Sequence, residues 1–206
     1  MRLSEPARVL RLFRFRPVRS AFDGILRDVM LPDLRRMPGL VDVHLGRRGP
    51  DDLGPRLLAT VWASHASMVE AVGEGFDRPI FHPEYLQETT DRELEFAPLA
   101  ISMASDGSGT ATILRTLRGQ VVPGQRDVYI EHAREGYLAD IDAGRGPLAI
   151  HIGTGPGDDD FVTLSVWRSW DTLEAATGGD IRRPMATRHP ELIVQWDAAH
   201  FEIIEG

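Results

Sequence analysis

The stretch that decides the fold occurs twice: residues 57–72 read LLATVWASHASMVEAV, and residues 161–176 read FVTLSVWRSWDTLEAA. In each copy an apolar run that is typical of a strand ends at a Trp, and the Ser two positions later can cap a helix. The copies align at Val61-Trp62-Ala63-Ser64 and Val166-Trp167-Arg168-Ser169. The same strand-to-helix junction is therefore encoded twice in one chain.

Further matches flank the junction in both halves of the chain. They keep the same order at nearly constant offsets, which indicates an internal duplication. Between the copies lies MASDGSGTAT (103–112), which is polar, rich in Gly and Ser, and typical of a linker. The sequence therefore predicts two repeats, 1–104 and 105–206. The matching segments are LRLFR (10–14) with LRTLR (114–118), HLG (44–46) with HIG (151–153), RP (78–79) with RP (183–184), and HPE (82–84) with HPE (189–191).

Each half shows the order strand, helix, strand, strand, helix, strand. This order predicts an α+β fold of tandem ferredoxin-like repeats, each a four-stranded antiparallel sheet with its helices on one face. Two such sheets can stack and close an intramolecular α/β barrel. The predicted strands are 9–16, 41–46, 57–62, 93–99, 112–119, 148–153, 161–167 and 199–204; the predicted helices begin at Ser20, Ser64 and Pro83 or span 125–141, 171–176 and 190–195.

The segment MPGLVDVHLGR (37–47), followed by the junction at 57–72, resembles the antibiotic biosynthesis monooxygenase type of dimeric α/β barrel. Its marks are a Pro-Gly before the second strand and a strand that ends in Trp-x-Ser, which the second repeat also carries. The resemblance covers nearly the whole chain, twice. It implies relatives among cofactor-independent oxygenases, haem-degrading enzymes, isomerase-like members and proteins with no known reaction. Members of the haem-degrading branch carry an Asn-Trp-His arrangement. This chain contains no Asn, which argues against a copied haem-degradation mechanism.

The composition of the chain excludes several classes of protein and partner. The chain has no Cys, which excludes disulfides and thiolate chemistry, and we expect a cytoplasmic protein without a signal peptide. The net charge is −8, of which the second half carries −7 and the first half −1. This acidic balance does not indicate a nucleic-acid-binding surface. No apolar run approaches membrane-spanning length. The expected partner is a small-molecule ligand, and the expected assembly is a monomeric barrel or a homodimer of tandem barrels.

Strand alternation sorts the side chains onto two faces. We expect an apolar face, with Phe13, Leu57 and Val61, to lie under the helices. The opposite face would then carry Arg, His and Trp, which suit an anionic, partly aromatic ligand, or which satisfy one another between the sheets. This polar face is predicted to hold Arg14, Arg16, Asp42, His44, Thr60, Trp62, Glu95, Arg118, Gln120, His151, Thr163, Ser165, Trp167 and Glu202.

Four residues are the candidate catalytic groups: His82, Trp62, His189 and Trp167. Pro and Glu after each His explain a helix start, but His is a poor N-cap, and imidazole can serve as a general base or as an axial haem ligand. The alternative for each Trp is a large side chain that fills the end of the core. The candidate ligand-binding residues are Arg14, Arg16, His44, Arg118 and His151.

The sequence thus predicts a cofactor-independent, monooxygenase-like enzyme that acts on an aromatic or anionic metabolite. The alternative is a non-catalytic protein that binds a small ligand or haem. The first function needs no cofactor and the second includes haem; no metal-ligand motif is present. Because the first repeat has Arg14 and Arg16 where the second has Arg118 alone, we expect the first repeat to bind an anion more tightly.

Overall fold

A computed structural model describes residues 7–73, 75, 80–105, 109–185 and 189–204. The repeated RP at 78–79, the centre of the predicted linker at 106–108 and the first six residues lie outside the described residues. Within the described part, no helix is both long and apolar enough to cross a membrane.

The strands are close to those predicted. Their bounds are β1 (Val9–Pro17), β2 (Leu40–Arg47), β3 (Arg56–Trp62), β4 (Thr89–Ala104), β5 (Ile113–Val121), β6 (Ala149–Thr154), β7 (Asp160–Trp167) and β8 (Ile193–Ile203). One prediction is wrong: residues 193–195 were expected in a helix but begin β8. The segment is rich in β-branched and aromatic residues, and pairing in the sheet prevails over the helix start before it.

Three short helical segments follow one another after β1, and the other helices are separate. The bounds are α1 (Phe22–Ile25), a π-helical segment (Leu26–Met30), α2 (Leu31–Arg35), α3 (His65–Val72), α4 (Pro83–Leu86), α5 (Arg126–Asp142), α6 (Trp170–Ala176) and a 3₁₀ turn (Pro190–Leu192). The π-helical segment was not predicted. Such insertions are often found beside functional sites.

All strand pairs are antiparallel, and the hydrogen-bonded order closes as β1-β3-β2-β8-β5-β7-β6-β4. The predicted α+β fold, an eight-stranded barrel formed within one chain, is therefore confirmed. By internal contacts the chain divides into a first unit, 1–98 with 201–206, and a second unit, 99–200. Within the first unit β2 pairs with the end of β8, and within the second the end of β4 pairs with β6.

The register of the first sheet corrects the predicted faces. Val9 lies opposite Trp62, Arg11 opposite Thr60 and Phe13 opposite Leu58. Phe13 and Leu58 pack in one cluster with Phe22, Leu26 and Leu31 of the helices, so this face is covered by helices; we call it the helix-covered face. Trp62 and Thr60 therefore lie on the helix-covered face, and their predicted placement on the opposite face is wrong.

The second sheet shows the same error. Trp167 lies opposite Ile113 and Ser165 opposite Arg115, and Ile113 packs in one cluster with Tyr129 and Ile130 of α5. Thr163 lies opposite Leu117 of the same cluster. Trp167, Ser165 and Thr163 therefore lie on the helix-covered face, and their predicted placement on the opposite face is wrong. Every residue of β3 is buried, and β7 is nearly so. Because such strands are covered on both sides, their apolar residues do not alternate, and the sequence does not reveal which set faces the helices.

Glu202 is a further exception, because it is opposite Arg47, which lies on the same face as Leu45 of the helix-packed cluster. The other predicted face residues lie where expected, on the side of each sheet away from the helices. In the register of the first unit, Arg14 is opposite Leu57 and His44 is opposite Ala59. In the register of the second unit, Arg118 is opposite Val162 and His151 is opposite Leu164. We call this the open face, meaning only that it bears no helix, since its residues on β3 and β7 are buried. Leu57 and Val61 lie on this face, so their predicted placement under the helices is wrong.

The repeated junction folds as the sequence predicts. Ser64 caps α3 and Ser169 caps α6, each accepting a hydrogen bond from the backbone N–H three residues on. The hydroxyls of Ser67 and Thr172 in turn accept a hydrogen bond from the backbone N–H of the cap residue, which completes a capping box in both repeats. The capping boxes fix the direction in which each helix leaves its Trp-bearing strand.

Candidate functional site

Both junction tryptophans are fully buried, and each donates its indole N–H to a hydroxyl on its own strand. Trp62 Nε1 lies 3.0 Å from Thr60 Oγ1, and Trp167 Nε1 lies 2.9 Å from Ser165 Oγ. Each hydroxyl in turn lies 3.5 Å from the backbone carbonyl of an arginine on the neighbouring strand, Arg11 or Arg115. We call this arrangement the Trp–hydroxyl relay, and it is the same in both repeats.

Of these two arginines, Arg115 is the functional candidate that the sequence analysis missed, and Arg11 is its counterpart in the first repeat. Arg11 is 0% exposed and Arg115 is 2% exposed, and both lie on the helix-covered face. The Arg11 guanidinium carbon lies 5.7 Å from the centre of the Phe96 ring, and burial lowers the pKa of Arg11 to about 10. A signal was available: each arginine sits in the repeated LRxxR segment, two residues before an apolar residue of the helix-covered face.

Arg115 has few polar contacts for a buried cation. One Nη donates to the backbone carbonyl of Arg183, while Nε has no hydrogen-bond partner and no carboxylate pairs with the side chain among the described residues. Burial lowers the pKa of Arg115, and the hydroxyls of Tyr137 and Tyr129 act in the opposite direction. An isolated buried charge is costly, so this position is polar where packing alone would favour an apolar residue.

The two tyrosines beside Arg115 come from α5 and are themselves buried. Burial raises the pKa of Tyr137 to about 12. Burial, and then the neighbouring Tyr137, raises the pKa of Tyr129 well above its ordinary value, with Arg115 opposing. Both phenols are therefore neutral near pH 7. They can donate hydrogen bonds, but they cannot neutralise the guanidinium.

Arg56 shows how this chain satisfies a buried arginine that only holds structure. It is 0% exposed, and its Nε and Nη2 each lie 2.8 Å from an oxygen of Asp23, a bidentate pair. Nη1 also donates to the carbonyl of Gly54 at 2.7 Å, and Nη2 to that of Asp52 at 2.8 Å. The contrast with Arg115 lies in the missing carboxylate rather than in burial.

His82 stands at a cavity of about 320 Å³ in the first unit. The wall is mainly apolar and adjoins the π-helical segment; its lining residues are Val29, Met30, Asp33, Leu34, Met37, Ile80, His82, Glu84 and Tyr85. His82 Nδ1 lies 3.6 Å from Glu84 Oε1, and the His82 side chain is 68% exposed. Pro83 of the HPE triplet thus starts α4, and Glu84 pairs with His82.

The second HPE triplet forms a closer pair. His189 Nδ1 lies 2.9 Å from Glu191 Oε1, and a backbone N–H together with His189 holds the pKa of Glu191 below its ordinary value. The His189 ring centre lies 3.9 Å from that of His132 on α5. Both copies therefore keep the His–Glu pair, while their surroundings differ.

The predicted ligand-binding residues on the open face have polar partners. Arg14 Nη1 lies 3.2 Å from Glu95, Arg16 Nε lies 3.3 Å from Asp91, and His44 Nε2 lies 2.8 Å from Asp42. His44 also lines a cavity of about 250 Å³ together with Arg35, Leu40, Val41, Asp42 and Val43. The open face of the first repeat is therefore close to neutral despite its arginines.

The corresponding residues of the second repeat are more enclosed. His151 is 4% exposed, with Nδ1 3.0 Å from Ser102 Oγ, and Arg118 is half-buried. The predicted site residues thus fall in several places: the tryptophans lie under the helices, His82 lies at a cavity, His189 lies beside His132 of α5, and the predicted ligand-binding residues lie on the open face. Among the described residues no group of three or more His, Asp or Glu could hold a metal ion.

Comparison with known proteins gives relatives by fold. No protein-family model and no curated protein sequence matches the chain. A provisionally assigned monooxygenase of Fusobacterium nucleatum superposes with a TM-score of 0.75 at 9% identity, over 97% of this chain and 94% of that one. An anthrone oxidase-like protein gives 0.59 at 15% identity, over 98% and 93%. A ferredoxin-fold protein of Listeria monocytogenes related to antibiotic biosynthesis monooxygenases gives 0.58 at 11% identity, over the whole of both chains.

These likenesses define the class of the molecule by its fold: a single-chain α/β barrel of two ferredoxin-like repeats. At the level of the fold the resemblance seen in the sequence is confirmed, because the solved structures that superpose on the chain include one described as a monooxygenase and one described as related to antibiotic biosynthesis monooxygenases. At identities of 15% and below, the match describes the fold and leaves the activity to be argued from the site.

Proposed function

We propose that the protein is a small-molecule enzyme, a cofactor-independent monooxygenase-like protein that acts on an aromatic metabolite. One observation carries the proposal: the His82–Glu84 pair stands at the mouth of an apolar cavity beside the π-helical segment. A volume of about 320 Å³ suits a compact aromatic ligand. The carboxylates of Asp33 and Glu84 at the same cavity favour a neutral substrate over an anionic one.

In this proposal His82 is the general base. Glu84 faces Nδ1, which leaves Nε2 to take a proton from a substrate carbon or hydroxyl made acidic by its aromatic rings. The resulting carbanion adds O₂ to give a peroxide anion, which takes the proton back from the His82 imidazolium and becomes a hydroperoxide. Loss of water then leaves a carbonyl, so that a CH₂ group and O₂ become C=O and H₂O. The substrate supplies all the electrons, and the protein supplies the base and an apolar cavity.

The other predicted residues take different parts in this scheme. Trp62 and Trp167 remain predicted catalytic residues, but their indole N–H groups already bond Thr60 and Ser165, so we assign them a positioning role for strand and helix. His189 is the duplicate base. Arg14, Arg16, His44, Arg118 and His151 remain predicted ligand contacts, whose described partners support a smaller contribution than His82.

The test is oxygen consumption with a tricyclic anthrone, whose CH₂ lies between two aromatic rings. We expect His82→Ala to lower the initial rate by about 10²-fold or more, the usual contribution of a general base. His189→Ala is the control from the second repeat and should change the rate less. Failure of the purified wild-type protein to accelerate oxygen uptake, or equal losses in the two variants, would overturn the proposal.

The second candidate is a non-catalytic ligand-binding protein, including one for haem with His82 as axial ligand. The observation in favour is the exposed imidazole at a cavity with two Met side chains. The residues do not fit haem well, since the described lining residues include two carboxylates and no Arg that could pair with a propionate. Haemin titration decides: a saturable Soret shift that His82→Ala abolishes would favour haem binding, whereas no shift would exclude axial ligation by His82.

A further inference from the structure

The helix-covered face of the second sheet holds a buried positive charge, and within the part of the chain that the structure describes no carboxylate pairs with it. Arg115 is 2% exposed, and its Nε lacks a hydrogen-bond partner among the described residues. A buried charge without a counterion strongly destabilises a fold, and this chain shows with Arg56 and Asp23 that it can supply one. The Arg115 position is therefore suited to a counterion that the described residues do not provide.

The side chains around Arg115 indicate which class of ligand would supply this counterion. Tyr129 and Tyr137 bring two phenol groups that are neutral near pH 7, so they can only donate or accept hydrogen bonds. The ring centre of Tyr129 lies 4.8 Å from that of Phe161, which gives the cluster an aromatic wall. The rest of the cluster is apolar, including Leu117 and Ile152. One cation, phenol donors and an apolar wall suit one oxyanion attached to a flat aromatic group.

We propose that Arg115, with Tyr129 and Tyr137, forms a buried subsite for the single oxyanion of an aromatic ligand, such as an aryl carboxylate. Arg115 Nε would donate to the oxyanion while Nη2 stays bonded to the Arg183 carbonyl. A single guanidinium balances one negative charge, so a doubly charged phosphate is disfavoured. The site lies in the second unit and is separate from the His82 cavity.

This site reverses an expectation from the sequence. The first repeat was expected to bind an anion more tightly because of Arg14 and Arg16, but those side chains pair with Glu95 and Asp91. The matching buried arginine of the first repeat, Arg11, has the Phe96 ring beside it instead of two tyrosines. The anion site therefore belongs to the second repeat, although that repeat is the more acidic one overall.

The test compares 1-naphthoate with 1-naphthamide, which has the same rings but no charge. Binding is measured by calorimetry on the full chain, with tryptophan fluorescence as a second readout. Wild type should bind the naphthoate at least about tenfold more tightly than the amide, because a charge-assisted hydrogen bond is involved. Equal affinities, or no binding of naphthoate, would overturn the proposal without any variant.

Variants then locate the site. Arg115→Gln should lose at least about tenfold in naphthoate affinity with little change for naphthamide, and Arg115→Lys should restore part of the loss. Arg11→Gln is the matched control and should bind naphthoate like wild type. Should Arg115→Gln fail to fold, Tyr137→Phe, which removes one oxygen, should weaken naphthoate severalfold. Naphthoate binding that survives Arg115→Gln or equally weakens in Arg11→Gln contradicts the assignment, as does an unchanged affinity in Tyr137→Phe.

Discussion

Individual residues show how closely the duplication preserved the strand-to-helix junction. The Trp–hydroxyl relay is the same in both repeats, with Thr60 in one and Ser165 in the other. Only the hydroxyl is shared by these two side chains, so the hydroxyl is what the junction requires. A buried indole N–H without an acceptor would cost free energy, which accounts for a polar residue at a fully buried strand position.

This relay gives the first prediction. Ser165→Ala leaves the Trp167 N–H buried without its acceptor, and we expect the free energy of unfolding to fall by about 1–3 kcal/mol. Ser165→Thr, which copies the first repeat, keeps the acceptor and should be more stable than Ser165→Ala, although its added methyl group must fit a buried site. Urea denaturation measures both. A Ser165→Ala protein as stable as Ser165→Thr would show that the indole bond contributes nothing.

The candidate site was only partly predictable for reasons that also act at single residues. His82 was found because a His-Pro-Glu triplet is visible in the sequence, and its pairing with Glu84 is local. Arg115 was not found, because an Arg in a strand looks the same whether it faces water or helices. Its burial depends on α5 and on residue Arg183, which is 68 positions away along the chain. Only the tertiary structure supplies that information.

Among the elements, β5 shows how closely strands can approach when glycine is present. A Cβ built on Gly119 would meet the Gln195 carbonyl oxygen of β8 and the Phe161 ring, the latter at 2.7 Å. Gly136 on α5 is the opposite case, with nothing within 4 Å of a Cβ. Glycine is thus required at the first position by sterics and is only tolerated at the second.

These two glycines make a matched prediction. Gly119→Ala should lower the free energy of unfolding by about 1–3 kcal/mol, because the backbone of β8 or the Phe161 ring must move. Gly136→Ala should raise it by about 0.5–1 kcal/mol through helix propensity. Thermal and urea unfolding of the two variants measure the effect. Equal changes of the same sign would contradict the close approach of β5 and β8.

Helix α5 also predicts an alkaline transition. The pKa of Tyr137 is raised to about 12 by burial, with Asp140 adding to the rise and Arg115 opposing it. The neutral phenol is favoured in the folded state, so its contribution is complete below the ordinary pKa near 10 and is lost as pH rises from 10 to 12. The loss amounts to roughly 3 kcal/mol.

Unfolding free energies of wild type and Tyr137→Phe, measured from pH 8 to 12, isolate this contribution. The difference between the two proteins should change in the direction that favours the variant as pH rises above 10. Absorbance at 295 nm follows the phenolates directly. A difference that stays constant across this range would show that Tyr137 ionises in the folded protein as readily as in the unfolded one.

The elements themselves were well predicted from sequence, and their faces were not. Strand positions and the caps at Ser64 and Ser169 follow from local patterns of apolar, branched and hydroxyl residues. The face of β3 failed because all seven of its residues are buried, so Leu57 and Leu58 carry no difference in hydrophobicity. Register with β1 resolves it, and register is a property of the pair rather than of either strand.

At the scale of the whole molecule, the sequence repeat and the compact units do not coincide. The predicted repeat boundary falls between 104 and 105, whereas the first unit ends at 98 and takes back residues 201–206. Residues 99–104 of β4 pair with β6, which lies in the second repeat, and Gly46 and Arg47 of β2 pair with the end of β8. Each repeat therefore completes a sheet of the other with a terminal strand segment.

This exchange predicts the behaviour of a chain divided after Ala104. Fragment 1–104 lacks the β8 segment that pairs with β2, and fragment 105–206 lacks the β4 segment that pairs with β6, so each alone leaves strand hydrogen-bonding groups exposed. We expect the separate fragments to be poorly soluble or unfolded and the co-expressed fragments to purify together as a one-to-one complex. Size-exclusion chromatography with light scattering and circular dichroism measures both outcomes. A division after Pro98 is the matched control, because it leaves residues 99–104 with β6 and should yield a more stable second fragment. Two fragments that fold alone and do not associate would show that the exchanged segments are dispensable and that the duplicated halves are independent domains.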